Sequence, residues 1–247
     1  MATVKKTDNA LFHKILVVDI ETVPVTNDWL AMPEDLRGHW LHKMNFLKLT
    51  ESQMEQPADV FFDRAGIYAE FGKIVCIGMG YVSPGNGHAE VRLKAISHDD
   101  EGQLLQQFAA MLETFVSQRK EVVFCGHNIK EFDIPYICRR MLINGLGLPA
   151  CLDVGGLKPW QVSHQDTLEL WRFGDYKNYV SLDLLAAALG IPSSKGDIDG
   201  SQVAGVYWHE RNLKRISEYC LRDVYTTALV YLKLKGWQDA LPTAVYV

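Results

Sequence analysis

The spacing of apolar residues changes several times along the chain, and each change marks a predicted element. Residues 14–20, KILVVDI, are almost continuously apolar and rich in β-branched side chains, which predicts a strand buried on both faces. KIVCIGMGYV at 73–82 predicts a second strand. The turn chemistry of Ser83-Pro84-Gly85-Asn86-Gly87 separates it from a third at 88–96, HAEVRLKAI, which alternates more clearly. Together these predict an antiparallel meander. Leu104, Leu105, Phe108, Met111, Leu112 and Phe115 then recur at helical spacing, so a helix is expected from Asp99 to Arg119, with Asp99 or Asp100 as N-cap.

EVVFC at 121–125 predicts a short buried strand, followed by a helix from Ile134 to Asn144 that Gly145 and Gly147 stop. HQDTLELW at 164–171 fits a strand or a helix. Ser181 should cap a helix running through Leu189 and ending at Gly190, and a last helix is expected from Glu210 to Gly236, with room for a break. The sum is an α/β layout, a mixed five-stranded sheet flanked by helices. One separation is out of proportion: residues 27–71 stand between the first two strands, where a meander needs only a few. They include Trp29, Trp40, Phe46, Phe61 and Phe62, and are either a helical elaboration on the rim or a flap that touches substrate. Residues 1–11 are expected to be a frayed lead-in. With no repeat, low-complexity tract or linker, one domain over 1–247 carrying this insertion is expected.

Composition sharpens the class. With 48% apolar and 22% charged residues, the 247-residue chain is ordinary for a globular protein. It has no apolar run of the roughly 18–20 residues that span a bilayer, so no membrane role is expected. No apolar segment follows Lys5 and Lys6, so no signal peptide of the usual pattern is expected. Cys76, Cys125, Cys138, Cys151 and Cys220 are odd in number and form no CxxC pair, pointing to reduced core thiols, no structural zinc, and a cytoplasmic location. A net charge of −5 argues against coating nucleic acid by bulk attraction. It leaves room for an enzyme that grips a short strand locally.

The chemistry lies in two pairs and one lone acid between them. Asp19 and Glu21 close the first strand two residues apart, so both project to one face. Adjacent carboxylates repel, and a divalent ion resolves the repulsion; magnesium and manganese favour such oxygen ligands. Asp133, in HNIKEFDIPYICRRML, stands where a strand gives way to a helix. It is either an N-cap or a carboxylate at the end of a strand neighbouring Asp19. Tyr219 and Asp223 are four apart on the last helix and share one face, about 6 Å from each other.

The order of these residues, with VVDIET, EFGKIVCIGMG, FCGHNIKEFDIPYICRRM, FGDYKNYVSLDLLAAALGIP, DIDGSQV and ISEYCLRDVYTTALVYLKL around them, resembles the DEDD 3′→5′ exonuclease superfamily. The closest likeness is to stand-alone bacterial exonucleases related to the proofreading domain of family B DNA polymerases. Residue 219 is Tyr and 218 is Glu, which resembles the tyrosine (DEDDy) branch rather than the histidine one. The resemblance implies a ribonuclease H-like fold and two divalent cations, Mg2+ or Mn2+. Asp19, Glu21 and Asp223 would hold one, Asp19 and Asp133 the other, with Tyr219 orienting the attacking water. It implies a single-stranded nucleic acid as partner, DNA ahead of RNA; a catalytically silent binding module is the alternative from another class. A proofreading role would need a polymerase on another chain. Thr22, Asn128 and Phe132 are candidate substrate contacts, each with a structural alternative: strand end, turn and core. Asp166 is expected to be scaffold and His127 part of the turn. Lys130, Arg139, Arg140, Lys177 and Lys195 form either a phosphate track or scattered solvated charge.

Overall fold

The computed structural model describes residues 12–84, 88–193 and 196–247. The expected lead-in at 1–11, the turn residues 85–87 and Lys195 lie outside the described residues.

The meander forms as its patterning predicts. β1 (Ile15–Pro24) pairs antiparallel with β2 (Gly72–Pro84), and β2 antiparallel with β3 (Ala89–Ser97). β4 (Val123–Gly126) adds parallel to β1, and β5 (Gln165–Asp166) parallel to β4. Among the described residues the sheet has six strands rather than the expected five: β6 (Thr243–Tyr246) pairs parallel with β3, giving the order β5-β4-β1-β2-β3-β6. β6 escapes pattern reading because it is a four-residue edge strand with no fully buried side chain. Segment 164–171 is ambiguous because it is two things. A two-residue strand ends at Asp166, whose side chain accepts from Leu168 N–H and Glu169 N–H and caps the helix Thr167–Arg172.

Strand alternation divides the core. Leu16, Val18 and Ile20 join Leu104, Phe108, Leu112 and Ile137 beneath the helices Glu101–Arg119 and Asp133–Ile143. Ile15 and Val17 join Val224, Ala228 and Leu229 of the helix Leu213–Leu234 on the other face. Asp19 and Glu21 continue the Ile15–Val17 parity, so they point towards that last helix. It is unbroken, and begins at Leu213 because Arg211 takes φ 55° and Asn212 caps it, accepting from Arg215 N–H at 3.1 Å. A short helix, Val203–Trp208, precedes it; six residues are too few for helical periodicity to show.

The insertion is the helical elaboration. Its helices Glu34–Met44, Glu51–Met54 and Pro57–Arg64 close over a separate core of Met32, Trp40, Met44, Val60, Phe61, Ala65 and Phe71. Trp40 packs edge-on to Phe61 and Phe71, with centroids 5.3 and 5.1 Å away. Burial thus removes Trp40 and Phe61 as wedges into substrate. The insertion is tied down where Tyr136 Oη donates to Gly66 O at 2.7 Å and Arg140 Nη1 donates to Ala69 O at 2.8 Å.

Candidate active site

Asp19 and Glu21 do not end β1, as their place in the sequence suggests; the strand continues to Pro24. Between Glu21 and Thr22 the pairing with β2 slips by a residue. Such a bulge bends a strand and re-aims its side chains. Glu21 is 6% exposed and Asp19 half-buried. Asp133 is the first residue of its helix, not the cap; Phe132 holds the cap position. Buried to 4% exposure, Asp133 accepts from Ile20 N–H at 3.2 Å through Oδ1. That bond fixes it beside β1, between the two acids of the strand.

The last helix brings Tyr219 and Asp223 to the same place because β2 lacks side chains beneath it. Gly78 lies opposite Asp19 in the register. A Cβ there would sit 2.7 Å from Cys220 Sγ and 2.8 Å from Val224 Cγ2; one at Gly80 would sit 2.8 Å from Val224 Cγ1. Only glycine allows so close an approach. Cys220 Sγ then reaches 3.4 Å from Asp19 Oδ2 and 3.5 Å from Asp19 O. Tyr219 lies beside Asp223 and faces its charge and those of Glu21 and Asp19. The five residues singled out by spacing therefore converge.

Convergence without a counter-charge is costly. Burial pushes the Asp19 carboxyl well up, and the neighbouring Asp133 and Asp223 push it further. Glu21 is raised first by burial, then by Asp19 and Asp223. Asp133 is pushed up to about 7 by burial, although its own backbone N–H and that of Ile20 favour its charged form. Among the described residues no lysine or arginine forms an ion pair with Asp19, Glu21 or Asp133. Oxygens of Asp19 and Glu21 and the sulfur of Cys220 lie within 4.8 Å of one another, close enough to share an ion. Burial also drives the Cys220 thiol well up, so it stays protonated and donates to Asp19. The remaining oxygen donors suit a hard divalent cation. Tyr219 is raised by burial and by Asp223, so its phenol keeps its proton.

The surrounding candidates separate. Asp166 is scaffold: besides capping its helix it accepts from Asn128 N–H at 3.0 Å and Lys130 N–H at 3.2 Å. This holds Asn128 at φ 64°. His127 bridges the same turn, with Nδ1 2.9 Å from Thr167 Oγ1 and Nε2 2.9 Å from Val180 O. Phe132 packs partly on the core, its ring 5.4 Å from that of Tyr136. The Thr22 side chain lies beside the Tyr136 phenol. Arg140 is not part of a phosphate track: it is 6% exposed and forks onto buried Glu101, with Nε 2.9 Å from Oε1. Lys130 pairs with Glu169, while Arg139 and Lys177 are exposed. The role of Gly78 and Gly80 was missed, although GMG inside a strand is a signal of close approach.

Residues 67–247 match a protein family described as "Predicted 3'-5' exonuclease related to the exonuclease domain of PolB". The chain belongs to this family. The matched segment contains Asp133, Tyr219 and Asp223; Asp19, Glu21 and most of the insertion precede it. The fold is ribonuclease H-like, as in the family B DNA polymerase of the hyperthermophilic archaeon Pyrobaculum calidifontis, with a TM-score of 0.51 at 18% identity. That match covers 89% of this chain and 24% of the polymerase chain, so the chain spans about a quarter of its structural relative. No curated protein matches the chain. No helix among the described residues is long and apolar enough to cross a membrane.

Proposed function

We propose that the chain is a metal-dependent 3′→5′ exonuclease of the tyrosine branch, one domain over 1–247 with an insertion, removing nucleotides from single-stranded or frayed DNA in the cytoplasm. The observation that carries this reading is the convergence of Asp19, Glu21, Asp133 and Asp223 with Tyr219 one helical turn before the last acid. Asp19, Glu21 and Asp223 would hold one Mg2+ or Mn2+ ion and Asp19 and Asp133 a second, supplying charge to the scissile phosphate and acidity to a water.

The chain's own groups do the positioning. Asp133 is fixed by Ile20 N–H, so its free oxygen is aimed before substrate arrives. Tyr219, protonated at neutral pH, orients the attacking water by hydrogen bond instead of removing its proton. To Thr22, Asn128 and Phe132 we assign contacts with the terminal nucleotide. Thr22 follows Glu21 directly, and the other two lie on the turn that delivers Asp133. DNA is favoured over RNA by the family's relation to a DNA polymerase domain.

The test uses 5′-labelled DNA and RNA of one sequence with Mg2+, Mn2+ or EDTA. A ladder shrinking from the 3′ end of DNA, absent in EDTA and with Asp223→Ala, is expected. Equal degradation of RNA would overturn the DNA assignment. No cleavage with either metal would overturn the enzyme.

A further inference from the structure

The helix Thr167–Arg172 ends in a conformation unusual for an aromatic residue: Phe173 takes φ 44° and ψ 32°, in the left-handed region. The turn leaves the Phe173 ring 87% exposed. Three residues on, Tyr176 is 71% exposed, and after three more Tyr179 is 66% exposed. The segment between them is a held turn. Asp175 N–H donates to Arg172 O at 2.7 Å, and the Asp175 carboxylate accepts from Lys177 N–H at 3.0 Å and Asn178 Nδ2 at 3.2 Å. The Arg172 guanidinium lies 5.7 Å from the Tyr176 ring centroid, and Lys177 is exposed. Neither forms an ion pair among the described residues.

One end of this row is anchored beside the acids. The Tyr179 ring packs against His127 at 6.3 Å, and Val180 O lies 2.9 Å from His127 Nε2. His127 opens the turn that leads to Asp133. The other end stands away from it, because Phe173 follows Asp166 by a helix about 9 Å long. Core packing explains none of the three rings. Aromatic rings interleaved with uncommitted cations are what a groove for an unpaired strand requires, since every base offers a π-face and every link a negative charge.

We infer that Phe173, Tyr176 and Tyr179, with Arg172 and Lys177, form a stacking track for the unpaired nucleotides on the 5′ side of the scissile bond. The inference rests on the exonuclease reading for the direction of the strand. The bases lie on the rings with little sequence preference, while the 3′ end reaches the acids. A dinucleotide is too short to use the outer rings.

The test is fluorescence anisotropy of 5′-fluorescein dT12 with Ca2+ in place of Mg2+, beside Mg2+-dependent hydrolysis of the dinucleotide dTpdT. A stacking contact is worth about fivefold or more in affinity, so Phe173→Ala with Tyr176→Ala should weaken dT12 binding at least about 25-fold. Turnover of dTpdT should stay unchanged. Ring-retaining Phe173→Trp with Tyr176→Phe should bind within about twofold of wild type, and Lys177→Ala should lower the salt slope by about 0.7. Unchanged dT12 affinity in the alanine double variant overturns the track, as does an equal loss in the ring-retaining one. Failure of wild type to cleave either substrate would instead sink the exonuclease reading, leaving the anisotropy series to decide the track.

Discussion

Replacing Asp133 by Asn should stabilise the metal-free protein, increasingly so as pH rises. Burial lifts this carboxyl from 3.8 to about 7. Between those values the folded protein holds a proton that the unfolded chain has released. The native penalty for ionising Asp133 is therefore absent near the lower value, grows as pH rises and is complete above the upper one. The gap is about three pH units at about 1.4 kcal/mol each, so the penalty is on the order of 4 kcal/mol. Asp133→Asn removes the charge and keeps an oxygen to accept from Ile20 N–H. His164 acts in the opposite sense: burial pulls its imidazole down from 6.5 to about 4, so its contribution grows with pH between those values and is level above them. The readout is accordingly the difference between variant and wild type, from urea unfolding in EDTA between pH 5 and 8. That difference should favour the variant and widen with pH. In Mn2+ or Mg2+ the order should invert, because the ion binds the deprotonated native site and stabilises it by mass action. A difference that is flat with pH, or a variant less stable than wild type at pH 8 in EDTA, would refute the electrostatic account of this site.

Other consequences follow from the same packing. Tyr219→Phe removes a hydrogen bond and no metal ligand, so kcat should fall about 10- to 100-fold while Mn2+ still raises Tm as in wild type. Gly78→Ala places a methyl against Cys220 and Val224; it should cost about 1–3 kcal/mol by overpacking and lower activity by lifting the helix that carries Asp223. Arg140→Met strands the buried Glu101 carboxylate, which also accepts from Ile74 N–H at 2.7 Å and Asn144 Nδ2 at 2.9 Å. It should lose about 3–5 kcal/mol in urea unfolding, with no specific effect on DNA binding by the folded fraction.

How much the sequence disclosed depended on the range of each signal. The buried strands of the meander and the long helix at 101–119 were legible because apolar periodicity is local; the insertion was legible only by its excess length, with its character left open. Asp19 with Glu21 and Tyr219 with Asp223 were legible as pairs, since two-residue spacing on a strand and four-residue spacing on a helix each fix a shared face; Asp133 stood alone at a strand-to-helix junction. Their meeting was not legible, because it depends on Gly78 beneath the last helix and on the Asp133–Ile20 bond across 113 residues. β6 was lost for want of a buried face. Arg140 looked like surface charge because its partner, Glu101, lies 39 residues away. Phe173 was invisible as a feature, since its exposure follows from a backbone turn and not from its neighbours' polarity.

The most direct test of the four-acid site is a crystal grown with Mn2+ and a short dT strand, measured at the manganese edge. Two anomalous peaks are predicted, one among Asp19, Glu21 and Asp223 and one between Asp19 and Asp133, with the 3′-terminal phosphate beside both. Peaks elsewhere, or none at these carboxylates, would contradict the account.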